Sequence, residues 1–368
     1  MSDLARNSTP HIKLFIPGPT EVRPEILDAQ TRWMIGHRMP ECATLFHSIQ
    51  EKIRPVFYTQ SRVYINAASG TGLQEAAIRN CVKTKVLNCV NGAFSKRWKE
   101  VTEANGKANE LLNVAWGQPI LPEQVVERLA TGEFDAVTIV HNETSTGVTS
   151  DVKALSEAIR ALPNGQDISI LIDSVSGLSG ARIEFDAWDL DVVLTSSQKA
   201  FALPAGLSFC AVSDRALAKA KTVPARGLYF DFVDLEKYLV KDQTPATPAI
   251  SLMYALDKQL EDMMSEGMEN RFARHLALRD RTIAWAKGHG FNVFAAPGYE
   301  SPTMTCVENN LGISVSALNK SLRTKGMVIS SGYGDLKDST FRIAHMGDTQ
   351  MSDLEELLAN MDEFLAKG

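Results

Sequence analysis

The chain is expected to be an α/β protein, built on a mostly parallel sheet flanked by helices and followed by a smaller α+β C-terminal domain. Three observations predict this. Short apolar runs alternate with longer segments of helical period through most of the chain, the pattern left by crossovers between parallel strands. Past Ser251 the character changes to a long helical tract. The 368 residues, 44% of them hydrophobic, suffice for a large core that divides into two lobes.

The strands expected from apolar runs are Val63–Asn66, Lys85–Asn91, Ala136–His141, Ile168–Asp173, Asp191–Thr195 and Leu207–Val212. Helices fill the gaps, among them Gly72–Val82, Ser95–Ala104, Pro122–Ala130 and Val152–Leu162. The tract Ser251–Gly290 carries Leu252, Leu256, Leu260 and Met263–Met264 at helical spacing. Strands at Pro302–Val307 and Phe341–His345 and a helix near Ser314–Lys325 follow it. A last helix is opened by a capping box of Ser352 with Glu355 and striped by Leu354, Leu357, Leu358, Met361 and Leu365. The division expected is an N-terminal arm over 1–20, a large domain over 21–254 and a small domain over 255–368.

Composition excludes several functions. The net charge is -6, with 38 Lys+Arg interspersed among 44 Asp+Glu, so no basic stripe suits a phosphate backbone and nucleic acid is a poor partner. Cys42, Cys81, Cys89, Cys210 and Cys306 are scattered, odd in number and set mostly in apolar runs, as reduced core thiols of a cytoplasmic protein are. Neither they nor the dispersed histidines have metal-ligand spacing, so no metal is expected. The stretch Met1–Pro10 is polar, and nowhere do about 18 apolar residues run together, so neither a leader nor a membrane span is expected.

Two residues stand out chemically. Asp173 ends one apolar strand, and Lys199 lies just past the next, in Thr195-Ser196-Ser197-Gln198-Lys199. The carboxyl ends of strands form the ligand crevice of an open α/β sheet, so both side chains should face one pocket. Pyridoxal phosphate requires these two groups: an amine to hold its aldehyde as an imine, and a carboxylate to keep the pyridine nitrogen protonated. Taken singly, the aspartate reads as a turn or cap residue and the lysine as a surface charge.

Two turns add weight. Ser69-Gly70-Thr71-Gly72 follows a strand and opens a helix, where glycines admit a phosphate and free N–H groups donate to it; an ordinary strand-to-helix turn looks the same. His141-Asn142-Glu143-Thr144-Ser145-Thr146-Gly147 offers hydroxyls to a ring oxygen or phosphate, or caps the helix near Asp151.

These segments come in an order that resembles the class V aminotransferases. With them stand Phe15-Ile16-Pro17-Gly18-Pro19-Thr20, Gly36-His37-Arg38, Asn91-Gly92-Ala93-Phe94, Asp173-Ser174-Val175, Thr244-Pro245-Ala246-Thr247-Pro248 and Phe341-Arg342-Ile343, so the likeness covers nearly the whole chain. More narrowly, the chain resembles the alanine–glyoxylate and serine–pyruvate (serine–glyoxylate) group. The resemblance implies a fold-type I homodimer with active sites at the subunit interface and pyridoxal 5′-phosphate as cofactor. It implies amino transfer from alanine or serine to glyoxylate or pyruvate.

By motif position, the resemblance makes Lys199 the Schiff-base lysine and proton-shift base, and Asp173 the pyridinium partner. Val175 would pack on one ring face and Phe94 on the other, where several relatives carry Trp; Phe keeps the π-surface and loses the indole N–H. Ser69, Gly70, Thr71 and Gln198 would hold the phosphate, Thr244 would reach that of the neighbouring subunit, and Ser145 would lie near the ring O3′. Arg342 would take the substrate carboxylate in a two-pronged salt bridge, with Gly18 beside it, or would point to solvent on an alternating strand. His37 and Arg38 would approach the partner's site, where either could read a distal substrate group, or Arg38 could pair with Glu41.

Rival readings within the fold are a donor such as aspartate or 2-aminoethylphosphonate, and a cysteine desulfurase using Cys306. The second is disfavoured because Pro302–Val307 reads as a strand interior. A non-catalytic scaffold would have no use for Lys199, Asp173, Gln198 and Arg342 together.

Overall fold

The computed structural model of the chain describes residues 10–366, so most of the polar stretch Met1–Pro10, and with it the start of the 1–20 arm, lies outside the described residues. Seven strands form the main sheet, in the order Arg62–Asn66, Ser208–Val212, Val192–Ser196, Ser169–Asp173, Ala136–Val140, Lys85–Val90, Ala108–Asn113. Six run in one direction; Ser208–Val212 alone is reversed, antiparallel to both its neighbours. The central strands are buried along their whole length, which is why they read as unbroken apolar runs rather than alternations.

The expected strands and helices are present, with ends moved by a residue or two. Edge strand Ala108–Asn113 was not expected, because Asn109, Glu110 and Asn113 break its apolar pattern where only one neighbour covers it.

A second sheet of four strands has the order Lys13–Phe15, Met327–Ser331, Thr340–Ala344, Met304–Glu308. The segment 13–15, expected only as part of an arm, therefore pairs in parallel with Met327–Ile329. Each sheet has its own apolar cluster: a large one around Trp98, Phe209 and Leu256, and a smaller one around Phe15, Trp285, Phe341 and Leu357.

The tract Ser251–Gly290 is two helices, Ile250–Glu266 and Met268–Gly288, broken at Gly267, whose φ of +80° a helix cannot accommodate. The last helix, Met351–Leu365, does not open on the expected Ser352–Glu355 box. It starts two residues earlier, with the Asp353 carboxylate accepting from Gln350 N at 2.9 Å, while Glu355 pairs with Arg281 at 2.6 Å. Among the described residues no helix is long and apolar enough to cross a membrane.

Candidate active site

Asp173 is the last residue of its strand and pairs across to Leu194 in the parallel neighbour, which ends two residues later at Ser196. Lys199 follows in a tight turn closed by Ala202 N–H donating to Lys199 O at 2.8 Å. Both side chains face one cavity of about 260 Å³, together with Ser69, Gly70, Thr71, Phe94, Val175 and Gln198.

Burial raises the Asp173 carboxyl to about 6, against the pull of Val175 N–H, which donates at 2.9 Å, and of Gln74 Nε2, which donates at 2.6 Å. Burial, with the nearby Arg342 charge, lowers the Lys199 ammonium to about 8. The lysine donates to Pro17 O in the loop after the first strand. Gly18 in that loop has φ +114°, and a Cβ there would sit 2.7 Å from Lys199 Nζ, so only glycine lets the loop close over the amine.

Helix Gly70–Cys81 opens onto the cavity, and its N-cap Ser69 makes no capping bond with its side chain. Gly70 is required by packing: a Cβ would stand 2.5 Å from Val175 Cγ2. The buried atoms Ser196 Oγ, Gln198 Oε1 and Gln74 Oε1 have no hydrogen-bond partner. Of these, Gln74 and Gln198 line the cavity, and polar atoms so left beside a cavity mark a place for a polar ligand.

Phe94 stands one residue into helix Ala93–Ala104, anchored from beneath by Glu143. That buried carboxylate accepts from Phe94 N at 3.3 Å, Ser95 N at 2.8 Å and Ser145 Oγ at 2.6 Å, so it neutralises the positive end of the helix. Ser145, expected near the ring oxygen, has its hydroxyl engaged by Glu143 and Ala93 N and does not line the cavity.

Arg342 is only 7% exposed; it does not point to solvent. Its Nε donates to Ser331 O at 3.1 Å and its Nη1 to Thr144 O at 3.2 Å, and Thr144 lines the cavity. It has no carboxylate partner among the described residues. Tyr333, which packs against Phe94 with centroids 5.1 Å apart, lies under the Arg342 guanidinium.

Three candidates lie elsewhere. Thr244 sits in a loop with its hydroxyl on Ala246 O, lining a separate apolar cavity of about 290 Å³ with Tyr229 and Tyr238. Arg38 donates to Thr244 O at 2.7 Å and Pro245 O at 3.2 Å, and makes no ion pair with Glu41. His37 does not line the cavity either.

Gln74, Glu143 and Tyr333 were not singled out from the sequence. Gln74 left a signal there, one turn into the helix opened by Ser69–Gly72. Glu143 was visible as part of a motif but looked like one more turn residue.

The model of the family described as "Aminotransferase class-V" matches residues 21–342, and the chain belongs to that family. It is an aminotransferase. An uncharacterised aminotransferase of Methanocaldococcus jannaschii is 37% identical over 340 residues, 91% of this chain and 87% of that one. An L-aspartate–glyoxylate aminotransferase of Paracoccus denitrificans is 30% identical, covering 91% of this chain and 86% of its own. Among solved structures, an alanine–glyoxylate aminotransferase of Nostoc superposes with TM-score 0.91 at 27% identity, over 99% of this chain and 97% of that one. The fold is thus that of the fold-type I aminotransferases.

Proposed function

We propose that the enzyme uses pyridoxal 5′-phosphate to move an amino group from a small amino acid, alanine or serine, to a small 2-oxo acid, glyoxylate or pyruvate, in two half-reactions. The observation that carries this is the cavity where Lys199 and buried Asp173 meet beside a helix N-terminus lined by Ser69, Gly70 and Thr71. Those groups fit an aldehyde, a ring nitrogen and a phosphate.

Lys199 would hold the aldehyde carbon, Asp173 the ring N–H, and Ser69, Gly70, Thr71 and Gln198 the phosphate, while Phe94 and Val175 would face the two sides of the ring. When bound, the cofactor supplies an electron sink for charge at the donor α-carbon. Lys199, its proton affinity lowered by burial, would take the α-proton of the donor and return it one position away. Gln74 Nε2 and Val175 N–H hold the Asp173 carboxylate, and would keep it turned toward the ring nitrogen. Arg342, already fixed by two carbonyls, would direct its remaining donors at the substrate carboxylate, with Gly18 opposite.

The large domain, 21–254, would hold the cofactor, and the small domain, 255–368, would bring Arg342 to it. A homodimer would bring Thr244 to the neighbouring phosphate and His37 to the edge of the neighbouring site. Exposed Trp33 at 93% and Leu228 at 84%, an unusual burden for a lone chain, support such an interface. The five buried, unpaired cysteines support a cytoplasmic setting.

Desulfurase chemistry is not supported, because Cys306 lies inside a strand and burial pushes its thiol up to about 11. Nor does Arg38 support a dicarboxylic donor, since loop carbonyls occupy its guanidinium.

The decisive experiment is Asp173→Asn with single-turnover half-reactions. The variant should retain cofactor absorption yet react with alanine at least about a hundredfold more slowly, as expected on losing the group that maintains the ring charge. Parent-like rates would overturn the site. A donor panel on the parent enzyme fixes the substrate: aspartate active with alanine and serine inert would remove the small-donor reading alone.

A further inference from the structure

Behind Lys199, on the side away from the cavity, lies a second buried charged cluster that the chemistry above does not use. Arg271, in helix Met268–Gly288, is 2% exposed. Its Nη2 donates to Ala200 O at 2.8 Å, directly beside the lysine, and its Nε to Ser179 O at 3.2 Å. Its Nη1 reaches Glu266 at 2.9 Å and Asp348 at 3.1 Å. Asp348 lies four residues past the strand Thr340–Ala344 that carries Arg342. The same carboxylate accepts from Arg23 Nε at 2.6 Å and from Gln259 Nε2 at 3.0 Å.

The segments meeting here matter more than the count of bonds. Arg23 follows the Pro17–Gly18 loop that closes over Lys199 Nζ. Ala200 belongs to the lysine turn, and Asp348 ends the connection from the Arg342 strand. That connection passes against the lysine turn: Gly347 has φ +75°, and a Cβ on it would stand 2.9 Å from Ala202 Cβ. Its N–H donates to His275 Nε2 at 3.1 Å, and His275 Nδ1 donates in turn to Arg271 O at 2.7 Å, which fixes a neutral imidazole between the two. Three separate pieces of the site are thus referenced to one arginine–aspartate contact.

We propose that Asp348, acting through Arg271, is a positioning residue that sets the distance between Lys199 and Arg342, and so the enzyme's preference for donors bearing an α-carboxylate. The proposal rests on the roles given above to Lys199 and Arg342. Removing the carboxylate charge leaves Arg271 with Glu266 and Arg23 with Asp262, neither of which touches the connection from Arg342, and so frees that connection from the lysine turn. The lysine keeps its chemistry and loses its register with the carboxylate site.

The test compares alanine with isopropylamine, which carries a methyl where alanine has its carboxylate, in single-turnover half-reactions of the parent holoenzyme and Asp348→Asn. The expected result is at least a tenfold loss in kcat/KM for alanine, lying mainly in KM, with less than a twofold change for isopropylamine. In the cofactor-free variant, amide hydrogen exchange should quicken at least tenfold over 199–203 and stay unchanged in the core of Ile250–Glu266. A folded variant that loses both substrates equally, or neither, overturns the proposal. If Asp348→Asn fails to fold, Arg271→Lys, which keeps the charge but cannot span Asp348 and Ala200 O together, must show the same selective loss, and an equal loss overturns it. A parent enzyme that does not distinguish alanine from isopropylamine would remove the role of Arg342, and this proposal with it. A parent that does distinguish them, beside a variant with the same ratio, removes the proposal alone.

Discussion

Arg271 and Arg342 are both buried arginines a short distance from Lys199, yet their surroundings differ in kind. Behind the lysine, Arg271 has two carboxylates and two carbonyls. In front of it, Arg342 has two carbonyls and, among the described residues, no ion-paired acid. Burial opposes the charge of Arg342 and lowers its proton affinity, whereas Asp348, against the same burial penalty, is held below the usual carboxylate range by Arg271 and Arg23. A buried guanidinium without a counter-ion costs stability, and folds rarely keep one without a use. The region behind the lysine is complete as it stands; on the role proposed for Arg342, a substrate carboxylate would complete the region in front.

The largest effect expected of any change on the front side is at the lysine itself. Lys199→Ala should lower kcat to less than about a hundredth of the parent while the protein stays folded, because no other side chain in the cavity can both hold the aldehyde and carry the proton. Steady-state turnover together with a circular dichroism melt checks both halves, and a folded variant retaining more than that fraction would displace Lys199 from the chemistry.

The two arginines themselves give the sharpest contrast. Arg271→Gln should cost about 3–5 kcal/mol of stability, the usual result of stripping one partner from a buried ion pair. Arg342→Gln should leave the melting temperature of the cofactor-free protein equal or higher, and should lower kcat/KM for alanine by about thirtyfold or more. Denaturant titrations and donor kinetics on both variants decide the matter. Should Arg342→Gln destabilise as much as Arg271→Gln, the contrast between a finished and an unfinished region collapses.

A smaller effect follows from the Lys199 ammonium, which burial lowers to about 8. In the unfolded chain the amine keeps its proton to near 10.4, so between those values the unfolded state binds more protons and stability rises with pH. Below pH 8 the cofactor-free protein bears the full cost of a buried cation. Lys199→Met should therefore be more stable than the parent by about 1–3 kcal/mol at pH 7, with the advantage fading by pH 10. An advantage that does not change between those two pH values would mean the amine is not desolvated.

The same contrast explains what could be read from the sequence. Asp173 and Lys199 were legible because parallel strands buried on both faces write themselves as apolar runs, and residues at their ends fall on one side of the sheet. Asp348 and Arg271 were not legible, since they are 77 residues apart and acquire their meaning only when a loop from the second sheet crosses the lysine turn. Glu143 reads from the sequence as one member of a hydroxyl-rich turn; its carboxylate is needed at a helix start 49 residues earlier. Ser145 was placed near a ring oxygen by motif alone, and local competition from Glu143 takes its hydroxyl. The break at Gly267 was missed because a helical stripe on either side continues in phase across it.

Arg38 yields the smallest expected effect and bears on whether the front region needs a second cation. Its guanidinium donates to Gln243 Oε1 at 3.2 Å and to the carbonyls of Thr244 and Pro245, and stands 5.3 Å from the Tyr238 ring centroid. Those contacts tether the loop that would carry Thr244 to a neighbouring site, and they use the donors a distal carboxylate would need. Arg38→Ala should therefore loosen that loop, weaken the dimer on dilution, and raise the cofactor dissociation constant by a few-fold through Thr244. Exposed contacts of this kind are worth about 0.2–1 kcal/mol each, so no large loss is expected. The ranking of donors should not move, with KM for alanine and aspartate changing by the same factor. Sedimentation across a dilution series and KM values for both donors test this directly. A rise in KM confined to aspartate or glutamate, by the roughly thirtyfold or more that losing a buried charge partner brings, would mean that Arg38 leaves its loop to meet substrate, and that the front region is completed by two acids rather than one.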